Sequence, residues 1–433
     1  MTARNRELFG LLVAGLIAGI ALATVTIARE SEFSPSAATY GALFVGLYLA
    51  AHVVVRRTVP YADPALLPLT ALLTGFGLTL NYRLDADDGG RQAVWVLIGV
   101  GVLAATLIAL RHDYRVLESY RYIFGVAAVF LLLLPSVPGL GQRVNGVKLW
   151  VDVGPVQFQP GELAKICLIL FLAGYLREKR EVLAQGRLKD FGPLLAIWGA
   201  AMLVIVQTND LGSALLNFGI FLAMLYVATG KALYVAAGLA LFVGGSFLLY
   251  NAIDRVHQRV TIWLHPWTDE RVFCATNGEL EFRQDCASYQ LVKSLYSIAN
   301  GGFGGTGLGE GIFRSPDGAD LIPSLGTDFI YSAVGQELGL VGASALLLVY
   351  MVFVARGMRI ALRAEDGFSK LLAAGLTFGL ALQTFVIVGG ILRIVPLTGI
   401  TLPFVSYGGT SIVANFLLVA GLLLVSNRAN TPR

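Results

Sequence analysis

Charge is what this sequence has least of. Only 14% of its 433 residues are Asp, Glu, Lys or Arg, against about a quarter in soluble domains. That deficit excludes a water-soluble enzyme, a disordered chain and a nucleic-acid binder with a basic face. Histidine is scarce, with four residues, which argues against a His-rich metal centre. The formal net charge of +4 is too small to imply a polyanionic partner. What the chain has instead is apolar residues, 56% of the total, with a mean hydropathy of +0.71 and 50 glycines. This is the composition of an all-α polytopic membrane protein.

A spanning helix needs about 20 mostly apolar residues. Twelve runs approach this, at about 8–27, 40–55, 66–81, 93–110, 122–138, 161–176, 193–207, 211–229, 232–250, 338–355, 371–392 and 405–425. The second, third and seventh are short. Lys and Arg gather at alternate ends: Arg4 and Arg6, Arg56 and Arg57, Arg111 to Arg121, Arg177 to Arg180, Lys231, Arg356 to Arg363, and Arg428. Because short loops retain positive charge on the inner side, both termini are expected in the cytoplasm. The first apolar run is generous in length for a signal peptide and is read as a span. The long loop from about 251 to 328 then faces outward, and loops of that length are often functional.

Of the three cysteines, Cys167 falls inside the sixth span as a small packing residue. Cys274 and Cys286 lie in the outward loop, an oxidising setting where a bridge is expected. Zinc is the weaker alternative, since His257 and His265 are the only nearby imidazoles.

Ionisable groups at membrane depth are costly, which makes each a functional candidate. Glu162 and Lys165 stand three apart on one helix face, as either a self-neutralising pair or a working charge. Asp210 opens the eighth span, where it could serve only as an N-cap. Asp328 precedes Phe329-Ile330-Tyr331, with Glu337 following, and capping is again the alternative. Arg393 follows the eleventh span, and Pro396, Gly399, Pro403, Gly408 and Gly409 break helix regularity before the twelfth. With both termini inside, all these features fall near the outer face. The glycine-rich run 301–311 contains a formal G-x-G-x-x-G match, but it lacks a βαβ frame and faces outward. A tightly turning loop beside an extended substrate is the better reading.

Residues 323–339 (PSLGTDFIYSAVGQELG) and 396–411 (PLTGITLPFVSYGGTS) resemble the two signatures of the SEDS polymerases, the FtsW/RodA/SpoVE group. Asn145-Gly146 with Trp150, the run Gln159 to Lys165, Gln207 to Ser213, and Tyr289-Gln290 with Ser294 fit the same pattern in the same order. The resemblance implies the SEDS fold, a ten-helix core at about 61–427 followed by a short tail, 428–433. Residues 1–60 would add two N-terminal helices, and with the loop cysteines they look most like the RodA-type members from actinobacteria.

The resemblance implies polymerisation of lipid II into glycan strands at the outer leaflet, with release of undecaprenyl pyrophosphate, in cell elongation or division. Asp328 matches the family's TDF aspartate and becomes the candidate base. Lys165, Arg259 and Lys148 are candidate diphosphate partners. Glu162 and Asp210 would orient Lys165 and the helix starts, and Glu337, Arg393, Ser406, Gly408 and Gly409 would support the site. Expected partners are lipid II, the nascent strand, membrane lipids and a class B penicillin-binding protein, with no nucleic acid. No cofactor is evident and no carboxylate cluster marks a metal cage, so a divalent cation would arrive only with the diphosphate. The sequence departs from the family in three places. Ser324-Leu325-Gly326 stand where Glu-x-His is usual, Leu149 replaces an Arg, and Gln336 replaces a common Glu. Two rivals stay in view, a lipid-precursor flippase and a non-catalytic scaffold for a transpeptidase. A transporter should show mid-membrane polar groups and internal repeats, and an inert scaffold has no need of outward carboxylates and cations.

Overall fold

The structure is a computed structural model that describes residues 2–30, 35–144, 147–154, 156–184, 192–274 and 278–432. Asn145-Gly146 lies outside the described residues. Among those described there are sixteen α-helices. In chain order they are α1 (Ala3–Glu30), α2 (Pro35–Thr58), α3 (Leu66–Leu84), α4 (Ala86–Leu110), α5 (Val116–Ser119), α6 (Arg121–Leu133), α7 (Pro160–Glu178) and α8 (Arg180–Ala184). The second half adds α9 (Gly192–Gln207), α10 (Leu211–Thr229), α11 (Ala232–Ala252), α12 (Asp254–Leu264), α13 (Tyr289–Gly301), α14 (Ile330–Arg363), α15 (Gly367–Ile391) and α16 (Gly409–Asn430).

Each of the twelve expected spans coincides with one of these helices. Eight are long and apolar enough by themselves to cross a membrane, and α6 and α9 are shorter apolar helices. The protein is a multi-pass membrane protein. Helix starts follow local chemistry. Pro160 occupies the first turn of α7, where its missing N–H costs nothing. Asp85 caps α4 through the amides of Asp87 and Asp88, and Asp366 caps α15 through Ser369. Gly230 closes α10 in the left-handed conformation.

The tenth helix begins earlier than expected, at Ile330 rather than 338. Gly339 (φ 63°) kinks it, and the stretch before the kink packs on α13 rather than continuing the span's line. The all-α reading also needs two additions. A three-stranded antiparallel sheet, β1 (Gly141–Val144), β2 (Val147–Val153) and β3 (Val156–Phe158), joins α6 to α7. A hairpin, β4 (Arg271–Phe273) and β5 (Leu280–Phe282), lies in the long loop, where a disulfide joins Cys274 and Cys286 with Cα atoms 5.7 Å apart. That loop is therefore a folded cap carrying α12, the hairpin and α13.

The core is centred on α15 and α16. α15 packs on α7, α10 and α14, while α16 packs on α4 and α7. α1 packs on α3 and α2, so the N-terminal pair flanks one side of this core.

Candidate active site

The two signature segments are bonded to each other. The Ser406 hydroxyl donates to the Thr327 carbonyl and accepts from the Leu402 amide at 2.9 Å. The Tyr407 amide donates to the Gly326 carbonyl at 2.8 Å. Asn81, at the end of α3, donates to the Val405 carbonyl at 2.9 Å from beneath. Gly408 holds the cap position of α16, and a Cβ on Gly409 would lie 2.1 Å from the Trp95 indole. Only glycine fits there.

Asp328 sits on this stapled surface. The cap residue of α14 is Phe329, with no side-chain cap bond, so capping does not account for Asp328. Opposite it lies Arg259 on α12. Gly399 (φ +74°) separates them, and a Cβ there would stand 3.5 Å from Asp328 Oδ2 and 3.8 Å from Arg259 Nη2. The guanidinium donates through Nη1 to the Thr398 carbonyl at 3.0 Å and more weakly to Leu397 at 3.4 Å. The Thr398 hydroxyl is buried without a hydrogen-bond partner among the described residues.

Asp328 is partly buried at the surface and densely surrounded. That burial pushes its carboxyl up to about 6, while the Thr327 hydroxyl and the Arg259 charge pull the other way. Asp210 caps α10 through the Ser213 amide at 3.0 Å. Burial raises its pKa too, the Ser213 bonds oppose this, and the fields of Glu162 (raising) and Arg259 (lowering) also reach it. Glu162, Asp210, Arg259 and Asp328 thus form one electrostatically connected group.

Lys165 occupies a different place from the one a free cation would take. Its side chain is 4% exposed, and its ammonium donates to Glu162 at 2.8 Å and to Gln383 at 2.7 Å. Gln383 passes the contact on to the Thr401 carbonyl at 2.8 Å, and Thr401 donates to Ser411 at 2.9 Å. The pair therefore holds the floor of the 396–411 segment. Lys148 lies on β2, in register with Arg143, and no contact joins it to Asp328 among the described residues.

Glu337 and Arg393 are clamps. Buried Glu337 accepts from the Gly309 and Gly311 amides at 3.0 and 3.2 Å and from Arg83 at 3.1 Å. The glycine-rich run packs there backbone on backbone, since a Cβ on Gly305 would lie 2.1 Å from the Glu337 carbonyl oxygen. Arg393 donates to the Trp263 and Leu264 carbonyls at 3.1 and 3.2 Å and lies over the Trp267 ring. It neutralises the C-terminal end of α12 and so fixes the helix that carries Arg259.

Sequence reasoning missed Asn81, Arg83 and Gln383. Asn81 and Gln383 are amides within or at the end of apolar runs, a costly placement that would have flagged them had amides been weighed with the charges. Arg83 is a charge just past the third run that was passed over.

The model of the FtsW/RodA/SpoVE cell cycle proteins matches residues 65–431. The chain belongs to the FtsW/RodA/SpoVE family. The peptidoglycan glycosyltransferase RodA of Mycobacterium tuberculosis is 38% identical over 452 residues, covering all of this chain and 92% of that protein. The probable peptidoglycan glycosyltransferase FtsW of Geobacter metallireducens is 32% identical over 377 residues, covering 84% of this chain and 95% of that one. Among solved structures, a chain of a peptidoglycan synthase complex superposes with a TM-score of 0.69 at 25% identity, covering 86% of this chain and 99% of that one. Within the FtsW/RodA/SpoVE family, the match to the mycobacterial RodA extends through the N-terminal pair, which the family's own model leaves out.

Proposed function

We infer that this chain is a peptidoglycan glycosyltransferase that polymerises lipid II at the outer leaflet and releases undecaprenyl pyrophosphate. The observation that carries the reading is the confrontation of Asp328 and Arg259 across Gly399. Glycosyl transfer needs a base for the attacking sugar hydroxyl and a cation for the departing diphosphate. In this reading the acceptor 4-hydroxyl meets Asp328 Oδ2 and attacks C1 of the donor MurNAc. The proton passes to the carboxylate as the C–O bond forms, and the anionic leaving group develops beside Arg259. The unspent Thr398 hydroxyl supplies one further donor to the substrate. Asp328 is ionised above about pH 6 and so is ready to accept a proton at neutral pH.

Lys165 acts here through position rather than contact, by holding Gln383 and the loop that carries Gly399. A divalent cation enters only with the substrate diphosphate. Both termini are cytoplasmic, as the Lys and Arg distribution favours, and the folded cap faces outward. A class B penicillin-binding protein is the expected partner, supported by the relation to a peptidoglycan synthase complex. The test is incubation of purified protein with lipid II and inspection for glycan polymer. Polymer formation supports the enzyme, and lipid movement or partner binding without polymer supports a flippase or a scaffold.

A further inference from the structure

The family's model begins at residue 65, so any site built by α1 and α2 is additional to the family core. The pair does build one. A cavity of about 650 Å³ lies between α1, α2, α3 and α4, in the half of the bundle that carries the α3–α4 turn. It is walled by apolar side chains such as Leu22, Leu47, Leu78 and Leu97. Its volume falls in the range of about 300–1,000 Å³ typical of small-molecule sites.

Four of its lining residues, Gly19, Gly41, Gly46 and Gly90, have no obvious packing purpose. Glycine in membrane helices usually lets another helix approach closely. Gly75 does this, since a Cβ there would meet Ala18 at 2.7 Å. A Cβ on any of the four would meet no other described atom within 4 Å. Helix propensity favours alanine at such positions. The side chains these residues lack leave a groove that no described part of the chain fills.

The groove leads somewhere. Tyr82, Ala86 and Gly89 line its end, and their neighbours Arg83, Asp85 and Asp88 line a second, polar recess of about 540 Å³. That recess is completed by Asp320, Tyr407 and Thr327, the residue before Asp328. Its arginines are already engaged, Arg83 with Glu337 and Arg314 with Asp320. Carboxylates, an aromatic ring and backbone suit sugar hydroxyls and amides better than a diphosphate.

We propose that the groove holds the polyprenyl chain of the acceptor lipid-linked substrate, with its sugars in the recess beside Thr327. This rests on the glycosyltransferase reading, in which two lipid-linked molecules must meet at Asp328. The donor's diphosphate takes the Arg259 side, where charge develops. The acceptor's diphosphate stays intact and needs no cationic pocket, only a hydrocarbon groove that brings its hydroxyl to the base.

The test uses full-length protein in phosphatidylglycerol nanodiscs and a lipid II analogue with a diazirine in its prenyl chain. Labelling is read in the wild-type protein and in the Asp328→Asn variant, which should block turnover if Asp328 is the base, so adducts report the groove whatever the fate of the catalytic reading. Adducts are expected on Leu22, Tyr40 or Leu47, removed by unlabelled lipid II and not by added phosphatidylglycerol. In a protein wild type at Asp328, the double variant Gly41→Leu/Gly90→Leu projects side chains into the groove from Cβ positions that meet no described atom within 4 Å. It should lose this labelling and raise KM for lipid II about fivefold with kcat within about twofold, the pattern of lost ground-state binding. Gly101→Leu, also in open space but outside the groove, should change neither. Absence of adducts on α1 and α2, competition by phosphatidylglycerol, or an unchanged KM in the filled variant would each overturn the proposal. If the wild-type protein makes no polymer, the function fails and the labelling result stands separately.

Discussion

The wall formed by α15 and α16 and the N-terminal pair α1–α2 are all long apolar helices, but they are used in opposite ways. In each wall helix 78% of the apolar stretch is buried in the protein; in each helix of the pair it is 22%. Apolarity therefore says only that a helix belongs in the bilayer, because lipid is as good a neighbour to leucine as protein is. Small residues and polar bonds decide which helices are buried. In the wall, Gly375 faces Met224 and Ile169, Gly409 faces Trp95, and Gln383, Thr401 and Ser411 bond across helices. In the pair, Gly19 and Gly41 face no described atom within 4 Å, and the charged contacts gather at the end bearing the N-terminus. There buried Glu7 accepts from Arg4 and meets His52 at 2.6 Å, while Arg4 also donates to the Ala62 carbonyl.

The comparison places chemistry at the head of the wall, and Asp328→Asn is the strongest way to break it. Removal of a general base typically costs about a hundred- to ten-thousand-fold in rate. Because Asp328 makes no cap bond, the amide should leave folding and lipid II binding intact. Polymerisation by purified protein is the measurement, and near-normal turnover would move the search for the base to Asp210 or Glu337.

Lys165→Met comes next. It leaves Glu162 without its ammonium partner, and breaking a buried pair typically costs about 3–5 kcal/mol. Thermal stability in detergent should fall along with activity. Adding Glu162→Gln should restore most of the stability. If Lys165 acts by position alone, part of the activity should return too, whereas a cation that touches diphosphate would leave the double variant dead.

A smaller effect sharpens the contrast between the glycines. Gly409→Ala drives a methyl into the Trp95 ring and should cost about 1–3 kcal/mol, as overpacking does. Gly41→Ala adds the same methyl to open space and should be neutral or stabilising, by up to about 1 kcal/mol. Equal melting temperatures for the two variants would erase the distinction between wall and pair.

Much of this was legible in the sequence, and what was not has physical causes. Hydropathy located twelve of the sixteen described helices, because bilayer thickness fixes span length and apolar content. The carboxylate at 328 stood out because charges near a bilayer are conspicuous, whereas Arg259 entered only as one of three candidate diphosphate partners. Lys165 was legible as a residue but not as a contact, since a three-residue spacing to Glu162 cannot say whether the ammonium faces a ligand or Gln383. The bent start of α14 was hidden because Ser332, Gln336 and Glu337 interrupt the apolar run before 338, and the kink depends on what packs against Gly339. The folded content of the long loop was missed because its short strands and α12 carry too few apolar residues to announce themselves.

The last prediction separates two roles for Arg259. Its charge pulls the Asp328 pKa down against the larger, upward effect of burial, leaving it at about 6. The base works only when ionised, so kcat/KM should fall as pH drops through about 6. Stability should move the other way. The folded state holds the Asp328 proton more tightly than the unfolded chain does, so this group's contribution weakens as pH rises from about 4 to 6. Arg259→Gln removes the downward pull, and the activity limb should shift to higher pH. If Arg259 acted only on Asp328, variant and wild type would converge at pH 9, where both carboxylates are ionised. If it also meets the leaving diphosphate, a loss of about tenfold or more should persist on that plateau. The plateau therefore decides whether Arg259 touches substrate, and an unshifted limb would show that its field does not reach Asp328.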